Sequence, residues 1–228
     1  MLSRVATGLY IVGRRLEKAD HLARLLAVHQ EVALEGSGAG AGYWKELLVC
    51  AGLDGDGSAG DTRRSAVGAL VAAIQAALEE ASAAARAVRP SMSSEVFEQV
   101  NVLYESASQE PKPASHQALR SIQLGVHLVT GLVDDAMAHG PERNFLRIGR
   151  GLERVGNITR LVATKAASPR LPTGSPDWPS VLRCAWSLEA YRVRGHPTPV
   201  HEAGAIEALL LDPGIARSAR QAAEQVVA

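Results

Sequence analysis

The sequence predicts an all-α fold, a bundle of helices, and three observations carry that prediction. Hydrophobic residues make up 46% of the chain but aromatic ones only 4%. The core must therefore be Leu, Val, Ile and Ala, which suits packed helices better than a β-sandwich. Apolar residues also recur at steps of three and four over long stretches, the period of one helix face. No segment shows the strict alternation of a half-buried strand.

The elements follow in order. Leu2, Val5, Leu9, Val12, Leu16, Ala19, Ala23 and Leu26 form a heptad seam on a long first helix. Val67, Val71, Ile74, Leu78, Ala81, Ala85 and Val88 repeat the pattern, and Pro90 ends it. A third helix follows Ser93 as N-cap, with Phe97, Val100, Leu103 and Tyr104 inward. A fourth carries Leu119, Ile122, Val126, Val129, Val133 and Met137. A fifth opens at Pro141, a residue suited to a first turn, and runs to about Ala167. A sixth covers about Val181 to Arg194, and a last begins at Asp212-Pro213. The Gly-, Ser- and Pro-rich stretches Gly36 to Gly42, Leu53 to Asp61, Ser106 to Pro113 and Ser168 to Pro179 read as linkers. None marks a composition change that would divide the chain, so residues 1–228 read as one domain.

Charge excludes some functions. Lys and Arg number 24 and Asp and Glu 24, with no basic stripe of the kind that binds nucleic acid. No run of about 18 apolar residues predicts a membrane span. Cys50 and Cys184 lie far apart without metal spacing, which points to a reducing, cytoplasmic setting.

An internal repeat is the most informative feature. Gly13-Arg14-Arg15-Leu16-Glu17-Lys18 matches Gly149-Arg150-Gly151-Leu152-Glu153-Arg154, which follows it by 136 residues. At that offset Phe145, Ile148, Leu152 and Val155 take the seam places of Leu9, Val12, Leu16 and Ala19. A polar stripe accompanies each seam: Arg14, Glu17, His21, Arg24 in the first helix and Arg150, Glu153, Asn157, Arg160 in the second. Their spacing keeps each set on one helical face. If the two stripes met, four arginines would face two glutamates, and a guanidinium cluster suits a carboxylate or phosphate. The plainer reading is an inter-helix ion-pair network. Gly13 and Gly149 would let two helices approach closely, at about 1 kcal/mol of helix propensity each.

Together with the opening Met1-Leu2-Ser3-Arg4-Val5-Ala6, these segments resemble the alpha-E family, a bacterial all-helical family. The resemblance continues through Tyr43-Trp44, then Arg86, Arg89, Ser93-Ser94-Glu95, Glu98 and Asn101. It extends over Gly125-Val126-His127-Leu128, Phe145-Leu146-Arg147, Leu188-Glu189-Ala190-Tyr191-Arg192 and Leu211-Asp212-Pro213 with Arg217-Ser218. The chain departs from the family pattern at Gly156 and at Ser82-Ala83-Ala84, where charged residues are usual, and it is C-terminally short for the family. Proteins of this kind are encoded beside, or fused to, a circularly permuted ATP-grasp enzyme, often near a transglutaminase-like protein and a proteasome-related peptidase. The resemblance therefore implies an accessory partner of an ATP-dependent peptide or amide ligase.

The expected function is binding of an anionic group or of that ligase through Arg14, Glu17, His21, Arg24, Arg150, Glu153 and Arg160. One alternative is a stand-alone enzyme with Glu17 and Glu153 as acid and base for amide transfer or hydrolysis. Another is a structural homodimer. No cofactor and no metal are expected. Asp54-Gly-Asp56-Gly-Ser58 lacks the Gly and Glu of a calcium loop, and Gly36-Ser-Gly-Ala-Gly-Ala-Gly42 lacks the Lys-Ser/Thr ending of a phosphate loop. Asp134 and Asp135 sit at a helix C-terminus, where acid is unfavourable, so pairing with arginines is one outcome. His127 reads as a satisfied core or interface histidine rather than a catalyst, and Trp44, Trp178 and Trp186 as packing residues.

Overall fold

The computed structural model describes residues 2–35, 40–53, 62–167 and 177–227. Those residues form ten α-helices and no strand. They are α1 (Ser3–Leu34), α2 (Ala41–Ala51), α3 (Thr62–Ala87), α4 (Ser94–Ser108), α5 (His116–Ala136), α6 (Pro141–Ala167), α7 (Trp178–Cys184), α8 (Leu188–Val193), α9 (Glu202–Leu210) and α10 (Ala219–Val227). A 3₁₀ turn at Arg89–Ser91 holds Pro90 and ends α3 as the sequence predicts. Asp54 to Ser58 and most of the two glycine- and proline-rich linkers lie outside the described residues.

α1 is the axis of the molecule. Its predicted seam is buried from Leu9 onward, but so is every residue from Ala19 to His29, because α2, α3, α5, α6 and α7 all pack around it. A helix surrounded on all sides has no polar face. Its charged residues in that span must therefore be paired inside the protein.

The caps behave as simple chemistry dictates. The Ser93 hydroxyl accepts from the Val96 amide, and Ser115 does the same for Ala118 at the start of α5. α5 buries Leu119, Ile122, Val126, Val129 and Val133 on one stripe, with Met137 buried just beyond its end. α3 holds an 18-residue stretch apolar enough by composition to cross a membrane, against the expectation of no such segment. It is alanine-rich and packs Leu70, Ile74, Leu78 and Ala81 against its neighbours on α1, α2 and α4.

Two expectations need correction, and one helix was not foreseen. The predicted sixth helix is two short ones, broken at Trp186, whose φ of 56° no α-helix tolerates. α9 carried no legible start signal. Asp212-Pro213 opens a turn rather than a helix, and α10 begins only at Ala219. The Asp212 carboxylate accepts from the Gly214 amide, from Arg194 and from His196, and so holds the turn.

Candidate functional site

α1 and α6 run side by side in the same direction, and their closest approach is at two glycines. A Cβ on Gly13 would lie 2.0 Å from the Leu146 carbonyl oxygen, and one on Gly149 would lie 2.1 Å from that of Tyr10. The contact is reciprocal: each glycine sits on the backbone of the other helix, four residues spanning the touch on each side. No side chain of any size fits there.

That crossing decides where the charged stripes go. Two parallel helices in reciprocal contact turn corresponding residues to opposite sides of the pair. Glu17, His21 and Arg24 fall on the inner side and Arg14, Glu153 and Arg160 on the other. The four arginines and two glutamates therefore do not meet in one cluster. α6 is also turned relative to the expected seam. It buries Leu146, Gly149, Arg154, Asn157, Ile158 and Leu161, while Leu152 is 47% exposed and Phe145, Ile148 and Val155 are half-buried.

On the inner side lies a buried charge network. The Glu17 side chain, 2% exposed, accepts from Arg154 through both carboxylate oxygens, at 3.0 Å (Nε to Oε1) and 2.7 Å (Nη2 to Oε2). Arg217 donates 2.6 Å to Glu17 Oε1 and 3.0 Å to Asp20 Oδ2. Arg24 donates to the same Asp20 oxygen one helical turn away. Three buried guanidiniums thus hold two buried carboxylates. Burial alone would keep Glu17 protonated, but Arg217 and Arg154 outweigh it and hold the carboxyl below its usual range. Asp20 is held low by Arg24 and Arg217 against the same penalty. Burial opposes the charge of Arg217 and lowers it to about 10, so it stays a cation at neutral pH. His21 is buried beside Arg24, and burial first and that cation second push it down to about 3. Its imidazole is neutral. The plain expectation of an inter-helix ion-pair network is what this side holds. The Arg14–Glu17 contact available within α1 is not used.

On the other side Arg14 Nε donates 2.8 Å to Glu153, half in solvent. The pair lines a polar cleft of about 230 Å³ with Tyr10, Lys18, Gly52 and Arg160. Arg160 lies against Gly52, whose left-handed φ of 68° ends α2, and donates to Asn157 at 3.3 Å. Arg150 borders the inner network, lining with Glu17 a small pocket of about 20 Å³ beside Gly13, Leu16 and Val129.

A larger cleft, about 470 Å³, opens between α1, α5 and the α7–α8 segment. Arg24 reaches it from the buried network. Arg120, Arg183 and His116 bring further basic groups, Glu31 and Glu189 acidic ones, and Ala27, Val28 and Leu188 an apolar floor. Arg183 donates to Glu31. Arg120 makes no ion pair among the described residues. Two earlier readings fail here. His127 lies at an interface, but it is not satisfied: its Nε2 has no hydrogen-bond partner among the described residues and lies 3.8 Å from Asp20 Oδ1, too far to bond. Trp186 is no packing residue either, being 52% exposed. Its ring stacks on His127, centroids 4.6 Å apart and planes 11° from parallel, with the Arg24 guanidinium 5.5 Å from the ring centre.

Elsewhere, Arg143 donates 2.9 Å to the half-exposed Asp134, so that helix end pairs with an arginine where a solvated surface was the plainer reading. Trp44 is buried edge-on to Tyr43. Cys50 and Cys184 are free and buried. Burial, reinforced by Glu46, pushes the Cys50 thiol up to about 12, and burial raises Cys184 as well. Neither is a nucleophile near neutral pH. Among the described residues no three histidine, cysteine or acidic side chains come together as a metal set.

Sequence reasoning missed Asp20, Arg154, Arg217 and Trp186. Asp20 was within reach, lying three residues from Glu17 and four from Arg24 on the same face. Arg154 is the Arg of a Glu-Arg pair, Glu153-Arg154, whose two members reach back to α1 on opposite sides, to Arg14 and to Glu17. Arg217 lies 200 residues from its partner, beyond any local pattern.

The fold and the network together define an all-helical protein organised on a buried arginine–carboxylate core. The chain belongs to the Alpha-E family, described as a predicted alpha-helical domain with a conserved ER motif, which matches residues 1–228. Glu-Arg pairs occur here at 142–143 and 153–154. No curated protein and no solved structure matches the chain.

Proposed function

We propose that the protein is an accessory component of an ATP-grasp-type peptide or amide ligase system, acting in the cytoplasm, and that it holds an anionic group in the cleft between α1, α5 and α7–α8. The ligase partnership rests on the family resemblance. The anion site rests on one observation: Arg24, fixed by the buried Asp20 carboxylate, shares a 470 Å³ cleft with the unpaired Arg120. A cation locked by a buried partner is already oriented, so little side-chain entropy is lost when a ligand binds.

The geometry favours binding over stand-alone catalysis at Glu17. A general base must reach its proton and have a pKa near the working pH. Glu17 is closed off by Arg154 and Arg217 and held low. Glu153 lines the smaller cleft but is committed to Arg14.

The test reconstitutes the protein with a circularly permuted ATP-grasp ligase and measures complex formation by light scattering and ADP release with and without it. Arg120→Gln changes an exposed side chain and should leave thermal stability unchanged. It is expected to lower anion affinity and the protein's effect on the ligase about tenfold. If the wild-type protein neither associates with the ligase nor alters its output, the partnership is wrong. Self-association seen by the same light scattering would favour the homodimer.

A further inference from the structure

Trp186 occupies a conformation that a bulky residue rarely takes. Its φ of 56° is left-handed, where the Cβ crowds the following carbonyl oxygen at a cost. No glycine, asparagine or aspartate relieves that cost at this position. What holds the ring is the stack on His127 and the Arg24 guanidinium, not burial in the core. Strain kept at a half-exposed aromatic beside a cleft marks a surface presented to something else.

The cleft chemistry narrows what that is. Arg24 is 3% exposed and lines the cleft, and its Nε has no hydrogen-bond partner among the described residues. Arg24 and Arg183 are tied to Asp20 and Glu31, so Arg120 is the cation without a partner among the described residues, standing in the cleft beside the pre-set Arg24. Glu31 and Glu189 stand on the same walls, each in an ion pair with Arg183 or Arg192, and disfavour a doubly charged phosphate more than a singly charged group. A singly charged carboxylate meets Arg120 with a smaller penalty. The Ala27, Val28 and Leu188 floor beside the indole suits a flat or apolar side chain.

Resting on the anion site proposed above, we infer that the ligand is a peptide C-terminus whose last residue is aromatic. Its carboxylate pairs with Arg120 and its ring lies against Trp186.

Isothermal titration tests this with N-acetyl-Ala-Phe, its C-terminal amide, N-acetyl-Ala-Ala, AMP and inorganic phosphate. The free acid ending in Phe should bind at least tenfold more tightly than the amide and than the peptide ending in Ala. Arg120→Gln should erase the preference for acid over amide. Trp186→Asn, which tolerates the left-handed backbone, should erase the preference for Phe over Ala while the fold stays intact by circular dichroism. Equal binding of the Phe and Ala peptides would sink the stacking role and leave the carboxylate site standing. Tighter binding of AMP or phosphate would overturn the peptide assignment but keep an anion site. If no anion binds at all, the anion-site reading falls with it.

Discussion

Glu17 and Glu153 hold corresponding places in two similar segments, and their surroundings give them opposite weight. Glu17 is the shared acceptor of two buried arginines. Removing its charge leaves both cations buried with an incomplete partner, a loss of about 3–5 kcal/mol for a broken interior pair. Glu153 pairs with an arginine that is half in water, where a pair contributes about 0–1 kcal/mol. Glu17→Gln should therefore lower the urea midpoint strongly and Glu153→Gln barely, both with an unchanged m-value. Equal small losses would show that the inner network is no better shielded than the outer pair. A loss of ligase output in Glu17→Gln would then report folding rather than catalysis, so the cleft variants carry the functional test.

At the scale of helices, the α1–α6 crossing is the element pair that places Glu17 and Arg154 on one side and Arg14 and Glu153 on the other. Gly13 and Gly149 were legible as close-approach residues, because a glycine inside a strong helix pattern demands a packing reason. The rotation of α6 was not legible. Its sequence offers Phe145, Ile148, Leu152 and Val155 as an equally good apolar stripe. The choice of face is made by the glycine contact and by α9 and α10, which pack on α6 from far along the chain. Gly13→Ala or Gly149→Ala would push a methyl into facing backbone, which cannot move as a side-chain tip can, so each should cost more than 2 kcal/mol despite alanine's better helix propensity. Gly156 lies in the same helix with nothing within 4 Å of an added Cβ. Gly156→Ala should stabilise by about 0.5–1 kcal/mol. Thermal denaturation of the three variants checks the contrast; stabilisation by all three would mean that the helices are not locked at the crossing.

For the whole molecule, what was legible followed from local period and caps, and what was not came from long-range closure. α4 and α6 begin where Ser93 and Pro141 say they should, but the break at Trp186 has no local cause in sequence, and its ring stacks across on α5. The buried network is likewise half readable: Glu17, His21 and Arg24 share a helix face, whereas Arg154 and Arg217 arrive only on folding. The same closure sets the response to acid. His21 and His29 are buried, and burial lowers them from 6.5 to about 3 and about 4. Both folded values lie below the unfolded one, so the unfolded chain takes up protons that the native state refuses. Stability is fully present above about pH 6.5 and is lost as pH falls toward 4, at about 1.4 kcal/mol per pH unit for each histidine. Burial lowers His127 too, which acts in the same direction. Below that range Glu17 and Asp20, both held low, add a further loss as they protonate. Unfolding free energy measured by urea at pH 7, 6, 5.5, 5 and 4.5 should fall with a slope near two protons around pH 5, and His29→Gln should reduce that slope by one. A profile that stays flat from pH 7 to 4.5 would mean that these histidines titrate freely in the folded protein, and that the interior around α1 is open to water.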